Sequence, residues 1–133
     1  MNKQRQPFIS VLTPSYNRAE YLKKLMVSLT SQTFQNFEWI IGNDGSTDYT
    51  DKLIRDASTS LNFNVTYISS TLRVGKAKMD NLLSEEVKGE YILWCDSDDY
   101  LKLDSMQNLV DLLKKIPIEE KNNYIGIIAQ NID

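Results

Sequence analysis

Short apolar runs alternate with stretches of helical period along this chain, and that alternation limits its fold more than any single motif. Residues 8–13, 37–41, 63–68, 91–95 and 124–129 are rich in β-branched, aromatic or aliphatic side chains, as strands are. Between them, Leu22, Leu25, Met26 and Leu29 recur at helical spacing and predict a helix over 18–31. A polar helix is expected over 47–58. Met79, Leu82, Leu83 and Val87 mark a third, and Met106, Leu109, Val110 and Leu113 a fourth. Strands separated by helices are joined by crossovers rather than tight hairpins, so neighbouring strands run parallel and helices cover both faces. The expectation is an α/β fold: three layers, α/β/α, around a mainly parallel central sheet. The first strand is expected to break at Pro14. Asn17 with Glu20, and Asp104 with Gln107, have capping-box spacing, and residues 117–123 read as a polar loop. No repeat, low-complexity segment or interdomain linker is visible, so the 133 residues are read as one domain.

Composition removes several function classes. A net charge of −3 argues against nucleic acid or an anionic membrane as the main partner. The chain has no histidine, which excludes histidine general acid–base chemistry, Ser-His-Asp triads and histidine zinc sites. Cys95 is the one cysteine, so no internal disulfide can form, which fits a reducing, cytoplasmic compartment. Lying inside an apolar run, it reads as a buried thiol rather than a nucleophile. Trp39 and Trp94, also inside such runs, read as packing. No apolar stretch is long enough to span a bilayer.

The run at 91–95 ends abruptly in Asp96, Ser97, Asp98 and Asp99. Clustered carboxylates repel and resist desolvation, and a cation relieves both penalties. On an extended chain, residues two apart point the same way, which would aim Asp96 and Asp98 into one space. Two hard oxygen donors suit Mg²⁺ or Mn²⁺, which bind through one or two carboxylates plus a ligand's phosphates. The competing reading is a solvated acidic turn. In open α/β sheets ligands bind beyond the carboxyl ends of the strands. Two further strands end in suggestive polar groups there, Thr13-Pro14-Ser15-Tyr16-Asn17-Arg18 and Asn43-Asp44-Gly45-Ser46.

Taken in this order, the three segments resemble the nucleotide-binding half of a family-2 glycosyltransferase of the GT-A fold, with Asp-Ser-Asp-Asp as its DxD motif. Gly75-Lys76, with Asn81 six residues after the glycine, also matches that family's spacing. Many members carry a basic residue just before this asparagine, where this chain has Asp80, so Arg73 and Lys76 become the basic candidates for reaching a nucleotide. The resemblance implies a nucleotide-diphospho-sugar donor, UDP-sugar favoured, and Mn²⁺ or Mg²⁺ as cofactor. Thr13, Pro14, Ser15 and Tyr16 would line the base pocket, with Tyr16 stacking on the base and Asn17 and Arg18 following in the same loop. Asp44, with Gly45 and Ser46, would recognise the base by accepting its imide N–H. Asp96, beside Ser97, would contact the ribose or a metal-bound water, and Asp98 would ligate the ion. Against these stand plainer roles: Tyr16 closing a turn, Asp44 capping the following helix, Lys76 and Arg73 solvated.

The implied reaction is sugar transfer, inverting, to a saccharide or lipid-linked acceptor in polysaccharide or glycoconjugate synthesis, by a protein that is cytoplasmic or peripheral at the inner membrane face. The family's general base and acceptor site lie beyond its nucleotide-binding half. The base is accordingly expected beyond Asp133, the last residue of this sequence, and Asp133 itself is not assigned that role. Residues 1–133 are expected to be the nucleotide-binding half alone, cut after about five strands, binding donor and metal without transferring sugar. Two rivals are disfavoured by position. A haloacid-dehalogenase-like phosphatase and a receiver-type signalling domain both need their acids after the first strand, where this chain has Thr13-Pro14-Ser15. A dinucleotide-binding domain would need G-x-G-x-x-G at the same place.

Overall fold

The apolar runs form four parallel strands in the computed structural model, which describes residues 5–123. β1 (Ile9–Ser15), β2 (Phe37–Asp44), β3 (Asn64–Ser70) and β4 (Tyr91–Trp94) lie in the order β3-β2-β1-β4. Crossover helices α1 (Ala19–Thr30), α2 (Thr50–Ser58) and α3 (Lys76–Glu85) link them, and α4 (Ser105–Lys115) follows β4. The expected α/β architecture with a mainly parallel sheet is the one that forms. The strand expected at 124–129 lies outside the described residues, and so does Asp133.

The period-2 alternation of β1 and β2 sorts their side chains between two cores. On one face Ile9, Val11, Trp39 and Ile41 pack with Leu22, Leu25 and Leu29 of α1, Ile54 of α2, and Met106 and Val110 of α4. On the other, Leu12 and Ile40 meet Met79 and Leu83 of α3. Each such fully buried side chain contributes about 1.5–3 kcal/mol of hydrophobic stabilisation. Gly42 sets how close α3 can come: a Cβ there would sit 2.6 Å from Met79 Sδ.

At their carboxyl ends β1, β2 and β3 run further than their apolar residues predict, whereas β4 stops one residue short. β1 passes through Pro14 to Ser15 because Leu12 O accepts from Cys95 N, so Pro14 turns its missing N–H to the same side, where β4 has already ended. The Asn17 capping box does not form. Arg18 is the residue that precedes α1, Glu20 pairs with Lys23, and Asn17 is used elsewhere. Asp104 does precede α4 but makes no side-chain cap; Thr33 Oγ1 donates to its carboxylate at 3.0 Å, and Met106 N donates instead to Gln32 Oε1. The polar loop expected at 117–123 is mostly a 3₁₀ helix, Ile118–Asn123. Trp39 is fully buried and donates to Thr13 Oγ1 at 2.9 Å. Trp94 is not core, being 47% exposed beside Ile92 on the α3 side of the last described strand.

Candidate functional site

Two loops at the carboxyl ends of β1 and β2 are clasped by one asparagine. Asn17 sits in the left-handed region (φ 49°), which its short polar side chain tolerates, and its Oδ1 accepts from Thr47 N (2.8 Å) and Asp48 N (3.2 Å). In return Ser46 Oγ accepts from Asn17 N, and Thr50 Oγ1 from Arg18 N. Asp48 serves both helices, accepting from Thr50 N at the start of α2 and Ala19 N at the start of α1. Partial burial raises the Asp48 pKa, but hydrogen bonds from the Thr50 hydroxyl and from backbone N–H groups outweigh it and hold the carboxyl below its ordinary 3.8.

Asp44, the last residue of β2, is buried and reaches the loop before α3. Val74 N donates to its Oδ1 at 2.6 Å and Gly75 N to its Oδ2 at 3.0 Å, so it caps neither α2 nor any turn of its own. Gly45 permits this contact, having φ +67° and lying where a Cβ would stand 2.7 Å from Arg73 N. Arg73 Nε is 3.9 Å from Asp44 Oδ2, and its guanidinium carbon lies 4.0 Å from the centroid of the Tyr16 ring. One face of Tyr16 thus carries a cation.

Across the site, Asp99 N donates to Asp96 O and closes a tight turn, so Asp96 and Asp98 are not on an extended chain as expected; β4 has ended where Cys95 drops into the core. Both aspartates nevertheless face one space. Lys76, the first residue of α3, stands 3.1 Å from Asp80 and 3.6 Å from Asp96. Partial burial lowers its pKa, yet the Asp80 hydrogen bond and the charges of Asp80 and Asp96 together hold the ammonium above its ordinary value. Burial, reinforced by the charges of Asp99, Asp96 and Asp98, pushes the Cys95 thiol up to about 12, so it is protonated and inert at neutral pH.

These groups line one cavity of about 310 Å³, bounded by Pro14, Ser15, Tyr16, Arg18, Asp44, Arg73, Lys76, Met79, Asp96, Ser97 and Asp98. Thr13, Asn17, Gly45 and Ser46 do not line it. Thr13 is turned toward Trp39, and the other three build the turns and the clasp. Met79 is a lining residue that its helical periodicity marks only as core. The general base expected beyond Asp133 falls, like Asp133, outside the described residues, so no group on this cavity is assigned that role. A larger hollow, about 600 Å³, lies at the opposite end of the strands beside Glu38 and Lys88. It lacks the convergence of strand-end loops, acids and an aromatic ring found here, so the smaller cavity is the candidate site.

The sequence model of the family described as Glycosyl transferase family 2 matches residues 10–119. The poly(ribitol-phosphate) β-N-acetylglucosaminyltransferase TarS of Staphylococcus aureus is 33% identical over 101 residues, covering 74% of this chain and 18% of TarS. The crystal structure of S. aureus TarS 1–349 in complex with UDP superposes with a TM-score of 0.74 at 27% identity, covering 81% of this chain and 32% of that one. The mannosyltransferase PcManGT from Pyrobaculum calidifontis, in complex with GDP-Man and Mn²⁺, gives 0.74 at 26% identity over 82% of this chain and 33% of its own. This chain spans 14–18% of the length of GlyA, a teichoic acid polymerase and TarS, three curated relatives that it matches.

Proposed function

This chain belongs to glycosyl transferase family 2, and from that premise we propose that residues 1–133 form the donor-binding part of a glycosyltransferase that takes its sugar from a nucleoside diphosphate, with UDP favoured. The observation that carries the reading is the convergence of three strand-end loops on one cavity, which brings Tyr16, Asp44, Asp96 and Asp98 together. Tyr16 offers an aromatic face for the base. Asp44 keeps lone pairs beyond the two given to Val74 N and Gly75 N, enough to accept an imide N–H. Lys76 projects from the first turn of α3, where the helix dipole also favours a diphosphate. Acceptor, inverting stereochemistry, a general base beyond Asp133 and a place in polysaccharide or glycoconjugate synthesis belong to the same proposal.

The donor set fits a divalent ion held jointly with a ligand. Asp96 and Asp98 are exposed carboxylates on one cavity, and no group of three or more His, Cys, Asp or Glu among the described residues could hold an ion by itself. Asp98, with Asp96, would hold Mn²⁺ or Mg²⁺, which when bound would neutralise charge on the leaving diphosphate. Calorimetric titration of Mn²⁺ with and without UDP tests this directly. Mn²⁺ is expected to bind weakly alone and more tightly beside UDP, and Asp98→Asn to remove most of that coupling. Equal affinity in both titrations, or an indifferent Asp98→Asn, would sink the reading.

A further inference from the structure

We propose that Tyr67 is a positioning residue for the donor site: its hydroxyl, held by Asp51, fixes the side chain of Asn43 and through it the turn that carries Asp44 and Ser46. The proposal rests on the donor-site reading above and adds to it a residue that does not line the cavity.

The period of an extended chain sends Asn43 and Asp44 to opposite faces of the sheet. Asp44 faces α3 and is anchored by Val74 N and Gly75 N. Asn43 shares the face of Trp39 and Ile41, which α1 and α2 cover. Ile41 aligns with Tyr67 across β2 and β3, and Asn43 lies two residues on, so the long tyrosine side chain reaches it diagonally. Asn43 is buried and uses both ends of its amide: Nδ2 donates to Tyr67 Oη at 2.9 Å, and Oδ1 accepts from Ser46 N at 3.1 Å. The second bond closes the turn from Asn43 to Ser46, in which Gly45 takes φ +67°. Ser46 Oγ in turn accepts from Asn17 N, tying this turn to the loop after Tyr16. The turn is therefore anchored from both faces, through Asp44 on one and through Asn43 and Tyr67 on the other.

The sense of these bonds is set from α2. An ionised Asp51 can only accept, so Tyr67 Oη donates to its Oδ1, at 2.6 Å. With the hydroxyl proton spent there, the lone pairs of Oη face Asn43 and select its NH₂ end. An amide turned the other way would set NH₂ against the Ser46 N–H, and its carbonyl against a hydroxyl with no proton left to give. Arg55 Nε donates to both Asp51 oxygens, at 3.1 and 2.9 Å, and its guanidinium carbon lies 5.3 Å from the Tyr67 ring centroid. The Tyr67 hydrogen bond, followed by Arg55, holds the Asp51 carboxyl below its ordinary 3.8. Burial and then the bond to Asp51 raise the Tyr67 hydroxyl above its ordinary 10.0, against the opposing bonds with Asn43 and Ser69. Acid and phenol thus keep one protonation state through the neutral range. An exposed i,i+4 pair such as Asp51–Arg55 adds little stability by itself. Its use here is directional.

The test combines titrations of UDP and GDP in Mn²⁺ with NMR hydrogen exchange at the Ser46 amide, on the wild type, Tyr67→Phe, Asn43→Ala and the double variant. Tyr67→Phe keeps the ring that packs against the core and removes only the hydroxyl. It should weaken the tighter-binding nucleotide by about threefold to tenfold, the worth of one hydrogen bond, and speed Ser46 exchange. In the Asn43→Ala background the same substitution should cost no further affinity, because Tyr67 reaches the turn only through Asn43. Unchanged affinity or unchanged Ser46 exchange in Tyr67→Phe, whatever happens to its urea midpoint, would make the hydroxyl a stability contact and overturn the assignment. An undiminished loss in the Asn43→Ala background would overturn it as well. If Asn43→Ala does not fold, the two readouts on Tyr67→Phe still decide. Failure of the wild type to bind either nucleotide would overturn the donor-site reading, whereas Ser46 exchange would still show whether Tyr67 holds the turn.

Discussion

β2 carries two buried carboxylates on one face, six residues apart, and they do related work to different ends. Near its amino end, Glu38 Oε1 accepts from Ser10 Oγ at 2.6 Å and from Lys88 N at 2.8 Å, while Ser10 Oγ accepts in turn from Gly89 N. At its carboxyl end, Asp44 accepts from Val74 N and Gly75 N. The first therefore pins the chain just after α3 and the second pins it just before, with Leu12, Ile40, Met79 and Leu83 packed between. Both side chains are nearly inaccessible. What differs is the company they keep. The partners of Glu38 are a hydroxyl and backbone from its own surroundings; Asp44 has an arginine and a tyrosine beside it on a cavity wall. Glu38 also borders a hollow, but one with no aromatic ring among the described residues of its wall, whereas Asp44 shares its cavity with the Tyr16 ring.

The largest effect should come from deleting the two acids in turn. Asp44→Ala and Glu38→Ala each strand two donors, at about 1–3 kcal/mol for each one left unsatisfied, and urea denaturation should show comparable losses. Only Asp44→Ala should also weaken UDP, by about 1.5–3 kcal/mol in calorimetry. An equal loss of UDP binding in Glu38→Ala would dissolve the contrast and make both acids parts of one structural clamp. A smaller change sharpens it from between the two anchors. Gly42→Ala forces a methyl against Met79 Sδ and should cost about 1 kcal/mol, the low end for overpacking because methionine can move. Unchanged stability there would mean that α3 is held loosely. Smallest is the pH response of Asp48, whose folded pKa lies below its ordinary 3.8. Its contribution is complete above that value and fades as pH falls through the lower folded one. The acid limb of a stability–pH curve should therefore be shallower in Asp48→Asn, and an identical limb would remove Asp48 from the clasp's energetics.

The existence of each described strand is legible in the sequence: β1 and β2, buried on both faces, are largely apolar, and the partly exposed β3 and β4 still carry β-branched and aromatic residues. Their ends are not. The backbone ladder of β2 continues through Asn43 and Asp44, and that of β3 through Ser69 and Ser70, since hydrogen bonding between main chains is indifferent to polar side chains. Asp96 and Asp98 can be read as neighbours from local spacing, although a tight turn rather than an extended chain brings them together. Contacts spanning about thirty residues leave no trace in local pattern: Asn17 with Thr47, Asp44 with Val74. Asn17 reads as a helix cap for that reason, because capping-box spacing is local while the asparagine's actual partners lie on another loop.

The pairing of β4 with β1 has a consequence for how the molecule assembles. Ile9 aligns with Phe37 across 28 residues but with Tyr91 across 82, and closing the longer loop costs more chain entropy before any contact repays it. β1, β2, β3, the Asn17 clasp and the wall shared by Tyr16, Asp44 and Arg73 all lie within residues 8–75. The turn bearing Asp96 and Asp98 reaches its place only when β4 docks. The wall shared by Tyr16, Asp44 and Arg73 thus depends on contacts of shorter sequence separation than the β1–β4 pairing that sets the acidic turn in place.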